Sequence, residues 1–147
     1  MPSNKLRTAS TALLGLLGTA VLLISLVSAN LAYRGEYPIG GTMPVEEVAA
    51  GRPEIEVALR AIRGTSAAYA AAYGALFLAI VFGPYRRGER WAWWALLAGV
   101  LVILVITLGR VPFLGVAMGQ AGTGPALVQA GVIVLALLLD ARRLKNP

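Results

Sequence analysis

The sequence predicts an all-α protein: a four-helix transmembrane bundle with a long extracytoplasmic segment between its first and second helices. Three observations carry that expectation. Of the 147 residues, 58% are hydrophobic and 14% charged, against roughly 25% charged in a soluble domain, and the mean hydropathy is +0.74. The apolar residues fall into four blocks, each close to the about 20 residues that a helix needs to cross a hydrocarbon layer of roughly 30 Å. The charges flank these blocks, and none falls in the middle of one. Four short helices account for nearly all of residues 1–147, so a single domain is expected.

The first span is expected over about 11–32. Lys5 and Arg7 precede it, as basic residues precede the apolar region of a secretory signal. The run from Thr11 to Ala29 exceeds the about 7–15 residues of such a region, however, and Ser28-Ala29-Asn30 is an indifferent cleavage context, so a retained helix is expected.

The segment 33–63 follows, far longer than a helix hairpin requires. Its first half, Arg34 to Pro44, has the Gly and Pro density of an irregular loop. Pro53 suits the first turn of a helix, with Glu54 and Glu56 where the helix dipole favours acids. From Pro53 only Gly64 interrupts the pattern before Gly83-Pro84. The second span, about 64–83, is therefore expected to begin as a helix outside the bilayer. Large residues (Ile55, Leu59, Ile62, Tyr69, Tyr73, Leu76, Ile80) mark one stripe of it. Ala67, Ala71, Ala75 and Ala79 mark another, with the small-xxx-small spacing that lets helices approach closely in lipid, and are expected to be a packing seam.

The third span is expected over 91–109, opened by Trp91, Trp93 and Trp94 as an interfacial aromatic belt. The stretch from Val111 to Gln120, with Pro112, Gly115 and Gly119, reads as an interfacial or re-entrant turn. The fourth span is expected over 123–140, and Asp140 is expected to pair with Arg143 or to sit in solvent.

Orientation follows from the basic residues, which are retained on the cytoplasmic side. Lys5, Arg7, Arg86, Arg87, Arg90, Arg142, Arg143 and Lys145 fall on one side; Arg34, Arg52, Arg60, Arg63 and Arg110 fall on the other, the first four sharing their segment with Glu36, Glu46, Glu47, Glu54 and Glu56. Eight against five places both termini in the cytoplasm.

Several function classes are disfavoured. With no cysteine and no histidine, the chain has no disulfide, thiolate metal site or imidazole proton shuttle, and no metal or other cofactor is expected. No phosphate loop, dinucleotide fingerprint or hydrolase motif occurs, so catalysis is disfavoured and no catalytic residue is assigned. The formal charge of +6 sits beside the apolar spans, which points to membrane lipids and not to nucleic acid.

The candidate site lies at the outer mouth. If the alanine seam faces the bundle, Arg60 and Arg63 point over that mouth, where Arg110, Glu56 and Gln120 can join them and the guanidinium groups would attract an anion. The competing expectation is that Glu56 pairs with Arg60 at i,i+4 spacing while the other arginines snorkel to lipid phosphates.

Three stretches, Arg60-Ala61-Ile62-Arg63-Gly64, Arg86-Arg87-Gly88-Glu89-Arg90-Trp91 and Leu108-Gly109-Arg110 before a Gly/Pro-rich turn, occur in the order found in the small bacterial DoxX-like four-helix membrane proteins, which residues 53–143 resemble. The resemblance implies the four-helix fold and a multi-pass protein of a bacterial or archaeal plasma membrane, with no settled activity. The cysteine-dependent redox roles proposed within the wider group have no support in a chain without cysteine.

Two functions are expected from these features: a non-enzymatic bundle that binds a lipid-like or anionic amphipathic molecule at its outer mouth, or a structural or accessory subunit of a homo-oligomer or larger membrane complex. A channel or transporter is disfavoured, because four spans without a central charge provide no pathway.

Overall fold

The computed structural model describes residues 2–34, 43–119 and 123–144. Five α-helices follow one another: α1 (Pro2–Arg34), α2 (Val45–Ala49), α3 (Pro53–Ile80), α4 (Arg90–Gly119) and α5 (Thr123–Leu139). A π-helical turn, Val81–Tyr85, follows α3, and a 3-10 turn, Ala141–Leu144, follows α5. Three stretches are long and apolar enough to cross a membrane: Lys5–Arg34, Pro53–Tyr85 and Arg90–Phe113. At 17 residues, α5 rises about 25 Å, somewhat short of a hydrocarbon core of roughly 30 Å.

The chain divides into two compact units, one formed by Met1–Gly18 with Phe77–Pro147 and the other by Thr19–Leu76. In the first, α4 and α5 pack together. Ala92, Leu96 and Val100 of α4 and Ala130, Ile133, Ala136 and Leu137 of α5 are buried, at the three- and four-residue intervals that keep one helix face turned inward. Leu101, Val102, Val105 and Ile106 remain exposed. Large apolar groups exposed on the outside of such helices are the arrangement expected where lipid surrounds them.

α3 starts where Pro53, Glu54 and Glu56 predict it. It ends in the π turn, where Gly83 leaves helical geometry (φ −89°, ψ −105°) ahead of Pro84. Proline has no N–H to donate and its ring crowds the carbonyl four residues earlier, and a widened turn relieves both. Gly88 N–H then donates to the Tyr85 carbonyl and Glu89 N–H to the Pro84 carbonyl, each at 3.0 Å, closing the helix end.

Several expectations change. α1 extends beyond 11–32 at both ends. The turn expected over Val111 to Gln120 is a continuation of α4 as far as Gly119, with Pro112 inside the helix. A transmembrane helix tolerates an internal proline because neighbouring groups and local adjustment satisfy the freed carbonyl. The five-residue α2 was not expected, although Pro44 before it and Glu46 and Glu47 in its first turn are the usual start signals. The irregular first half of the outer segment lies, over 35–42, outside the described residues.

Small residues on α3 are buried at Gly64, Ala67 and Gly74, whereas Ala71 is half-buried and Ala75 and Ala79 are exposed. The four-residue alanine repeat therefore does not mark the buried face along its length. Each four-residue step overshoots a full turn by about 40°, so three such steps rotate Ala79 well away from Ala67. Alternating steps of three and four hold one face. At Gly74 the fit is tightest: a Cβ there would stand 3.1 Å from Leu22 N and 3.2 Å from Leu22 Cα.

Of the tryptophans, Trp91 and Trp94 are 55% and 56% exposed, as a belt requires, while Trp93 is 8% exposed. At about 100° per residue, positions 91 and 94 share a side and 93 turns away from it.

Candidate functional site

In the Thr19–Leu76 unit, α3 carries three of the expected site residues, Glu56, Arg60 and Arg63. Arg60 forms ion pairs with Glu56, at the i,i+4 spacing, and with Glu46 of α2 at 3.8 Å. Two carboxylates against one guanidinium leave little positive field, so Arg60, held by Glu56 on its own helix, links α3 to α2 through Glu46 and does not attract an anion. Arg63 stands elsewhere. It lines a cavity of about 190 Å³ with Ile24, Ser25 and Ser28 of α1 and Ser66, Ala67 and Ala70 of α3. Ser25 is buried, and Ser66 donates to the Ile62 carbonyl at 2.9 Å. The lining thus combines a guanidinium and three hydroxyls, of which that of Ser66 has its proton on the Ile62 carbonyl, with apolar residues and contains no carboxylate. Hydroxyls and guanidinium groups are the donors that anionic oxygens take.

Arg110 belongs to the other unit, where it lines a groove with Val105, Ile106, Gly109 and Phe113. Gln120 lies outside the described residues. Tyr69 faces outward and Tyr73 is half-buried. Among the described residues no group of three or more His, Cys, Asp or Glu could hold a metal ion.

Within the unit of Met1–Gly18 and Phe77–Pro147, a polar knot closes the end of α5. Ser10 Oγ donates to the Ala136 carbonyl at 2.7 Å and lies 2.6 Å from the Tyr85 hydroxyl; both side chains are fully buried. Trp93 Nε1–H donates to the Leu137 carbonyl at 3.0 Å. The last four carbonyls of a helix have no partner within it, and in a low-dielectric setting each one left open costs several kcal/mol. Ser10 from α1 satisfies that of Ala136, and the Leu137 carbonyl accepts from Trp93 of α4 and from the Asp140 N–H at 3.2 Å. Sequence reasoning missed Ser10 and Tyr85, which lie 75 residues apart and carry no local sign of their pairing. Asp140, just beyond this end, is 8% exposed and so is not in solvent; the Arg143 side chain lies outside those described.

The turn between the π segment and α4 is held by Glu89, which accepts from Arg87 Nε at 2.8 Å and from Trp91 Nε1 at 2.6 Å. The Arg87 hydrogen bond first, and then that of Trp91, hold the Glu89 carboxyl below its ordinary value of 4.5. A depressed carboxylate stabilises the fold above its unfolded pKa and loses that contribution as pH falls through the folded value. The Trp91 indole N–H resonance is accordingly expected to stay constant at neutral pH and to shift only on acidification below 4.5. A midpoint at or above 4.5 would contradict the assignment.

Long apolar helices with many large apolar side chains exposed define a helical membrane protein. Comparison with protein-family models, with curated proteins and with solved structures returned no match.

Proposed function

We propose that the chain is a four-span membrane bundle with both termini in the cytoplasm, and that it binds the headgroup of an anionic amphiphile on its extracytoplasmic side, in the Arg63 cavity. The reading rests on one observation: Arg63, Ser25, Ser28 and Ser66 line one cavity that has no carboxylate among its lining residues. At about 190 Å³, the cavity falls below the roughly 300–1,000 Å³ of sites that enclose whole drug-sized ligands. It therefore takes a headgroup, the chains remaining in the surrounding lipid.

The four-span topology is supported by α5, whose apolar length a bilayer accommodates by slight local thinning, and by the excess of Lys and Arg on one side. The likeness to DoxX-like proteins belongs to the same proposal and concerns the four-helix fold alone. A binding role without catalysis suits a chain with neither cysteine nor histidine.

Native mass spectrometry of the protein extracted in mild detergent tests the proposal. The wild type is expected to retain a co-purifying anionic amphiphile that Arg63→Gln loses, while Arg60→Gln keeps it. Absence of any such adduct on the wild type, or equal retention by Arg63→Gln, would contradict the reading.

A further inference from the structure

A second groove lies in the unit of Met1–Gly18 and Phe77–Pro147. Arg7, Thr8, Thr11 and Ala12 of α1 line it together with Phe82 and Arg86, and its volume is about 410 Å³. Positions 7, 8, 11 and 12 share one face of α1, because residues four apart lie one above another. Arg7 is held in place: its guanidinium donates to the Arg86 carbonyl, and it lies where a side chain at Gly88 would stand. A Cβ at Gly88 would come 2.7 Å from Arg7 Nη2, which can shift, but Gly88 adopts a φ of +93°, so the backbone at this turn requires glycine. The Phe82 ring lies against Gly15, where a Cβ would come 2.8 Å from its Cζ, and this places an aromatic wall beside the two arginines.

A guanidinium carries five N–H donors, so one bond to a carbonyl leaves most of Arg7 available. No carboxylate lines the groove. Two positive charges and two hydroxyls beside a phenyl ring and an alanine methyl match a phosphate attached to something apolar. Location points the same way. Arg7 is near the start of the membrane-crossing stretch Lys5–Arg34, and Arg86 directly follows Pro53–Tyr85, the level at which phospholipid phosphates lie.

We propose that Arg7, Thr8, Thr11 and Arg86 bind the phosphate of an anionic phospholipid, with Phe82 and Ala12 against the adjoining methylenes. The volume agrees, since about 410 Å³ lies within the roughly 300–1,000 Å³ of ligand sites and exceeds what a bare phosphate fills. This site is separate from the Arg63 cavity and does not depend on it.

The test uses the full chain in detergent, titrated with dioleoylphosphatidylglycerol or dioleoylphosphatidylcholine and read by native mass spectrometry. Arg86→Gln is the informative variant, because it removes an exposed guanidinium while leaving the backbone carbonyl that Arg7 uses. The wild type is expected to favour phosphatidylglycerol, and Arg86→Gln to reduce that preference about fivefold, the size of one arginine's attraction to an anionic surface. Thr11→Val is expected to reduce it as well, and Arg63→Gln to leave it unchanged. Equal retention of the two lipids by the wild type would overturn the proposal, as would an unchanged preference in both Arg86→Gln and Thr11→Val. Full displacement of phosphatidylglycerol by millimolar inorganic phosphate would also overturn it, by making the ligand a free anion.

Discussion

A Gly74→Leu variant is expected to lose about 3 kcal/mol or more of stability, at the upper end of what overpacking costs, whereas Gly74→Ala stays within about 1 kcal/mol of the wild type. The difference lies in what a new side chain meets. Leu22 approaches Gly74 with its backbone N and Cα, and a Cβ at Gly74 would stand 3.1–3.2 Å from them. Backbone atoms cannot rotate away as the end of a side chain can, so a single methyl requires a shift of a few tenths of an ångström and a leucine requires α1 and α3 to separate. For alanine the strain is offset by its helix propensity, about 1 kcal/mol better than glycine. Gly64 makes a useful contrast. A Cβ there would come 2.6 Å from the Tyr33 ring, but Tyr33 is exposed and can swing aside, so Gly64→Ala is expected to be nearly neutral. Reversible unfolding in mixed micelles, followed by circular dichroism, measures all three. A Gly74→Leu protein as stable as Gly74→Ala would refute the close approach.

The second large effect is expected at Ser10. Replacing it with Ala removes the hydroxyl that donates to the Ala136 carbonyl and leaves the buried Tyr85 hydroxyl 2.6 Å from an empty position. Loss of a hydrogen bond by a buried polar group costs about 1–3 kcal/mol, and here the Ala136 carbonyl loses the Ser10 donor while the Tyr85 hydroxyl loses its contact with Ser10. Tyr85→Phe is expected to cost less, about 1 kcal/mol, because Ser10 keeps its bond to the Ala136 carbonyl. The Ser10→Ala/Tyr85→Phe pair is then expected to be less destabilised than the sum of the two, since either single variant already removes the Ser10–Tyr85 hydrogen bond. Strict additivity in the same unfolding assay would show that the two hydroxyls do not interact.

The membrane-crossing character of the chain is legible in its sequence because it depends on composition over about 20 residues, which no tertiary contact alters. The start of α3 at Pro53 is legible for a related reason: Pro, Glu and Glu satisfy the helix N-terminus locally. What lies past Pro112 is harder. Proline and glycine signal chain breaks in water, where a freed carbonyl finds a solvent partner, but a helix among apolar neighbours keeps its remaining hydrogen bonds and continues. Within the chain the alanine repeat is buried only in part. Spacing along the chain identifies small residues, but which of them are buried depends on the phase of the helix against its neighbour, and Gly74 with Leu22 sets that phase.

The candidate site divides along the same line. Glu56 and Arg60 are readable as a pair because they are four apart on one helix. Glu46 comes to Arg60 only through α2, and the three serines around Arg63 come from two helices. Ser10 and Tyr85 needed the fold to meet at all.

Topology is the claim on which the rest stands, and the absence of cysteine makes it directly measurable. Single reporters at Glu47→Cys, Arg87→Cys and Ala141→Cys can be probed with a membrane-impermeant maleimide on intact cells and again after lysis. Four spans with both ends inside predict that Glu47→Cys reacts in intact cells while Arg87→Cys and Ala141→Cys react only after lysis. Labelling of Arg87→Cys from outside, or Arg87→Cys and Ala141→Cys on opposite sides of the membrane, would contradict the account.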